Sequence, residues 1–133
     1  MRIFNLLLLA ALAALTLACG YSSKTYAPTA GSMPAISQLN PDSVTAGSAA
    51  FTMTVNGSNF AAKSVVNWNG APQTSGTTYV GAGQLMLSVP ASLIANPGTV
   101  QITVTNPAIS GTGMYGSGGT LAETSPAMSF TIN

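Results

Sequence analysis

From Pro34 onward the apolar residues of this chain recur at every second position and nowhere sustain a helical period. Side chains of an extended strand alternate between two faces, so such a pattern wets one face and buries the other. Seven segments carry it: Ala35–Leu39, Phe51–Val55, Val66–Trp68, Thr77–Val80, Leu85–Val89, Val100–Val104 and Met128–Ile132. Turn-forming residues punctuate them. Asn40-Pro41-Asp42-Ser43, Gly57-Ser58-Asn59, Gly81-Ala82-Gly83 and Asn106-Pro107 each stop a strand, and Asn69-Gly70 is a strong hairpin signal. Ala91–Ala95 has room for one helical turn. Short, regularly spaced strands of this kind predict an all-β fold, a sandwich of about seven strands.

Charge is the next constraint. The 133 residues hold 3 Lys or Arg, 2 Asp or Glu and no His. Three cations cannot displace counterions from a polyphosphate backbone on a useful scale, so no nucleic-acid partner is expected. General acid–base chemistry wants a His or a matched carboxylate pair, and neither is evident. One Cys without His makes no ordinary zinc site, and no metal or cofactor is expected. A hydrophobic content of 47% argues against disorder. What remains is a small, folded, non-catalytic domain.

The N-terminus is an address. Arg2 precedes an apolar run from Leu6 to Leu15, and small Ala18 stands before Cys19. That is the layout of a secretory signal, here a signal helix over residues 1–18. A membrane-spanning helix would be marginal in length, and Gly20-Tyr21-Ser22-Ser23-Lys24 supplies no basic stop-transfer cluster. The boundary resembles the lipobox of bacterial lipoproteins, in which the Cys becomes the lipidated first residue of the mature chain. Ala18-Cys19 matches the pattern, while Leu15 stands one place further from the Cys than the pattern has it. The resemblance implies lipidation at Cys19, attachment to a membrane through that lipid, and an extracytoplasmic place in a bacterial cell envelope. The alternative is an ordinary signal that leaves a free thiol. Residues 19–33 read as the lipidated Cys and a flexible tether, and residues 34–133 as the folded domain.

The order of landmarks within that domain resembles IPT/TIG domains. Pro34-Ala-Ile-Ser-Gln-Leu-Asn-Pro41, then Gly47, then Phe51-Thr-Met-Thr-Val-Asn-Gly57-Ser-Asn-Phe60, is similar to the family's opening: a Pro-flanked strand, a Gly, and an alternating strand that ends in a G-x-N-F turn. Val66-Asn-Trp68-Asn-Gly70, Leu87-Ser-Val89-Pro90 and Gly98 to Pro107 look like the strands that follow. The resemblance implies an immunoglobulin-like β-sandwich used for binding, spacing or packing. This chain departs from the pattern between residues 108 and 125, where it carries an insertion.

Few residues suggest chemistry. Gly111–Gly119 contains five Gly in nine residues, but Thr120 and Leu121 follow the last of them and no Lys lies nearby, so it lacks the parts of a phosphate loop. A mobile surface loop over 109–123 is expected instead, with Met114 and Tyr115 as candidate contacts for a partner. Asp42 and Glu123 fall in turns, where acids are normally solvated, although two distant carboxylates can meet in space as in glycosidases. Trp68 shares a face with Val66, which favours the core over a sugar-stacking surface. Tyr79 is the candidate exposed aromatic. Asn56-Gly57-Ser58 has the form of a glycosylation acceptor, and the turn accounts for it without a glycan. Two readings follow: a module that meets another envelope protein by loops or a strand edge, or one that binds a surface glycan.

Overall fold

The computed structural model describes residues 27–111 and 118–133. They form ten strands: β1 (Ala35–Asn40), β2 (Ser43–Val44), β3 (Phe51–Ser58), β4 (Val65–Trp68), β5 (Ala71–Pro72), β6 (Thr77–Gly81), β7 (Gln84–Val89), β8 (Gly98–Asn106), β9 (Glu123–Thr124) and β10 (Met128–Ile132). One 3₁₀ turn, Ala91–Ile94, lies between β7 and β8. All seven expected strands are present. The three additional ones have two residues each, too short to show a period.

Two sheets face each other. One has the order β1-β3-β7-β6, and the other β2-β10-β8-β4-β5 with β9 also on β8. Pairing is antiparallel except between β2 and β10, which run parallel. The chain therefore starts in one sheet, crosses at the cis Asn40–Pro41 bond and joins the other beside its last strand. This is an immunoglobulin-like sandwich, a four-strand sheet packed against a six-strand sheet.

β9 and β10 are two parts of one edge. Both pair β8, β10 along Gly98–Ile102 and β9 at Thr105–Asn106. Pro126, with no N–H to give, interrupts the line between them. Ser125 spans the interruption, its N–H donating to the Val104 carbonyl at 2.8 Å while its hydroxyl accepts from the Val104 N–H at 2.9 Å.

The core follows the alternation. Met53, Val55, Leu85, Leu87 and Val89 project from the first sheet against Val66, Trp68, Ile102, Val104 and Phe130 of the second. The Trp68 and Phe130 rings lie 5.5 Å apart and tilted by 56°, in the favourable range for aromatic pairs. Outward positions carry hydroxyls and amides in place of charges. On the β4–β8 surface, Asn67 Nδ2 donates to Thr103 Oγ1 at 3.0 Å and to Thr105 Oγ1 at 2.9 Å, and Thr105 exchanges a 2.8 Å bond with Thr124.

Two segments differ from expectation. The last residues of the expected tether are held: the Thr29 N–H donates to Gly119 O, and the Leu121 N–H to Thr29 O, each at 3.0 Å. The expected loop 109–123 is closed at its base, where Ile109 and Thr120 exchange two backbone bonds of 2.9 Å, and Glu123 pairs Asn106. Pairing satisfies backbone groups that a free loop would leave to water.

Candidate interaction surfaces

Strand directions divide the sandwich into two ends. The near end gathers the approach to β1 (29–34), the β3–β4 turn (59–64), the β6–β7 turn (82–83) and the stems of the long β8–β9 connection. The far end holds the connections after β1, β4 and β7.

At the near end the G-x-N-F turn acquires a physical meaning. A Cβ on Gly57 would strike the Ala35 carbonyl and the Phe60 ring, so only Gly lets β1 and Phe60 approach here. Asn59 takes a left-handed conformation, φ 59°, which turns the chain and sends Phe60 into the core. Asn106, buried at the end of β8, then binds the pieces together. Its Nδ2 donates to Ser32 O at 2.8 Å and Asn59 O at 2.7 Å; its Oδ1 accepts from Ser64 Oγ at 2.6 Å and the Ala61 N–H at 3.3 Å. Asn-Pro at 106–107 reads in the sequence as a plain strand stop, and nothing in the spacing announces this hub.

Around the hub open two concavities, of about 290 and 490 Å³, that share Ala61, Pro107 and Ile109. The first is also lined by Leu121 and Asn59, the second by Lys63. Beside them Met33, Ile109 and Leu121 are 52%, 61% and 50% exposed. Their only sequence signal is a large apolar residue inside a small, polar stretch.

A different surface lies at β6, an edge of the four-strand sheet. Tyr79 is exposed there, as the sequence suggests, together with Val80 and, on neighbouring β7, Met86. Thr77-Thr78-Tyr79-Val80-Gly81 has no charge and no Pro, the usual guards of an edge. The register shifts between Tyr79 and Gly81, which leaves Val80 in a bulge.

The carboxylates stay apart. Glu123 pairs Asn106 at the near end, and Asp42 precedes β2, which pairs the far part of β10. The length of β8 between those ends is about 27 Å, whereas glycosidase carboxylates sit within about 10 Å. Among the described residues no three His, Cys, Asp or Glu cluster as a metal site would require. Cys19, Met114 and Tyr115 lie outside the described residues.

Comparison with the curated proteins finds no match, and comparison with solved structures finds none. A family does match: residues 34–122, which run from the start of β1 through β8, fit the IPT/TIG domain, and since they are well over half of a chain folded as this two-sheet sandwich, the chain belongs to that family.

Proposed function

We propose that this immunoglobulin-like domain is a non-catalytic binding module, held to a bacterial envelope membrane by a lipid on Cys19, that contacts another envelope protein through the β6 edge. IPT/TIG domains are generally non-catalytic binding modules, which supports the binding character. The observation that carries the site is β6 itself: an edge strand with unpaired backbone groups, no charge, and Tyr79 and Val80 exposed. Such an edge offers main-chain hydrogen bonds to an added strand, with alternate side chains for selectivity. The Met114–Tyr115 segment remains the sequence's other candidate contact.

A photo-reactive residue tests the site in intact cells. Placed at Val80 it should give a discrete protein adduct, and placed at exposed Ser129 on the opposite sheet it should give none. Equal adducts at both positions would remove the edge from the reading. The glycan reading has its own support in Tyr79 and the amide and hydroxyl rows on both sheets. Retention on a polysaccharide column that Tyr79→Ala abolishes would favour it over the protein contact.

A further inference from the structure

We infer that the near end of the sandwich is a lipid-contact surface, with Met33, Ile109 and Leu121 resting in the headgroup region of the bilayer that anchors the chain. The inference deepens the lipid-anchored reading and rests on it.

Two independent observations converge. The first is where the exposed apolar side chains are. Of the six large ones among the described residues, three (Met33, Ile109 and Leu121) are at the near end, three are on β6 and β7, and none is at the far end. Ile109 lines both concavities and Leu121 the first, with further apolar atoms of Ala61, Ala62 and Pro107, and the Met33 carbonyl accepts from Asn59, which also lines the first. Neighbouring exposed apolar groups of this kind mark a contact surface.

The second is the length of chain leading to that end. Thr29 is fixed to Gly119 and Leu121, so nine residues, ten Cα steps, separate it from Cys19. Fully extended, they reach at most about 35 Å. A flexible chain of that many steps averages about 16–19 Å end to end. β8 alone is about 27 Å long, so only a nearly fully extended link could reach past the sandwich to its other end. The end where the link enters is thus the end kept at the lipid surface, and it is the apolar one.

Charge contributes little: among the described residues Lys63 beside the second concavity and Glu123 on β9 cancel at this end, and Lys24 in the stretch leading to it is a single further cation. The contact is therefore apolar in origin and should persist at high salt, where exposed charge interactions are screened. Side chains of an interfacial contact enter about 5–10 Å, to the boundary of headgroups and acyl chains.

The test uses the chain purified from its native membrane and placed in vesicles of phosphatidylethanolamine and phosphatidylglycerol with spin-labelled acyl chains. Intact mass first reports whether Cys19 carries lipid. A fluorophore on Ile109→Cys should lose most of its emission to the lipid quencher, in low and high salt alike. One on Asn96→Cys, exposed at the far end, should keep its emission. Adding Met33→Ser and Leu121→Ser, both exposed and hence tolerated by the fold, should restore emission at position 109 severalfold. A lipidated chain with no quenching at 109, or with equal quenching at 109 and 96, overturns the surface and leaves the anchor standing. A mass without lipid overturns the anchor. The comparison of 109 with 96 is then made in a Cys19→Ser chain, where selective quenching at 109 supports the surface and its absence overturns it.

Discussion

Asn106 spends all four of its strong hydrogen bonds on parts of the chain as distant as Ser32, Asn59, Ala61 and Ser64. Asn106→Leu should therefore destabilise the domain by about 2–3 kcal/mol or more, because several partners are left unpaired in a buried site and each such group costs about 1–3 kcal/mol. Urea unfolding measures it, and an unchanged midpoint would mean that water replaces the side chain. Trp68→Ala should cost about 3–5 kcal/mol, the usual price of emptying a large core site. A thermal melt that barely shifts would contradict the packing of Trp68 on Phe130. At Gly57 the constraint is space. Gly57→Ala should cost about 1–3 kcal/mol through overpacking, since the Ala35 carbonyl is backbone and has little room to yield.

At the scale of elements, β6 gives the most direct prediction. Val80→Lys guards the edge with a charge on an exposed position, so the melting temperature should hold while the Tyr79-side protein contact is lost. Gly119→Ala acts in the opposite way. Its Cβ would collide with the Ile109 carbonyl, so the closed base of the long connection should open, seen as faster amide exchange at Ile109 and Thr120. These two cases mark what a sequence discloses. Strands β1, β3, β7, β8 and β10 could be read from it because burial on one face imposes a period of two over five or more residues. β2, β5 and β9 could not, because two residues have no period; their positions come from pairing with strands remote in sequence. Trp68 and Tyr79 were legible from alternation and strand position. The near-end surface was not, because Met33, Ile109 and Leu121 stand in three separate stretches that only hydrogen bonds bring together.

For the whole molecule, the proposed anchor would decide orientation. Cys19→Ala should abolish lipidation and leave the protein either outside the membrane fraction or as an unprocessed precursor, as fractionation and intact mass report. Acyl chains contribute about 0.8 kcal/mol per buried CH₂, and two or more are needed for stable attachment. A mutant with unchanged mass and membrane fraction would reject the lipid. Beyond residue 18, Lys24 and Lys63 balance Asp42 and Glu123, so that part of the chain has neither a field to steer a partner nor much repulsion between copies. The proposed attachment to a surface would keep such a neutral domain from free diffusion, in which association is a hazard.

The parallel pairing of β2 with β10 has a mechanical side. Tension between residue 29 and residue 133 draws β2 back toward the near end and β10 toward the far end. The Thr131 N–H bond to Asp42 O, the Asn133 N–H bond to Val44 O and the Ala46 N–H bond to Asn133 O then carry the load together, in shear. An antiparallel edge pulled from one end would give way one bond at a time. Under a pull along that line the domain's lifetime is set by the rate of unfolding.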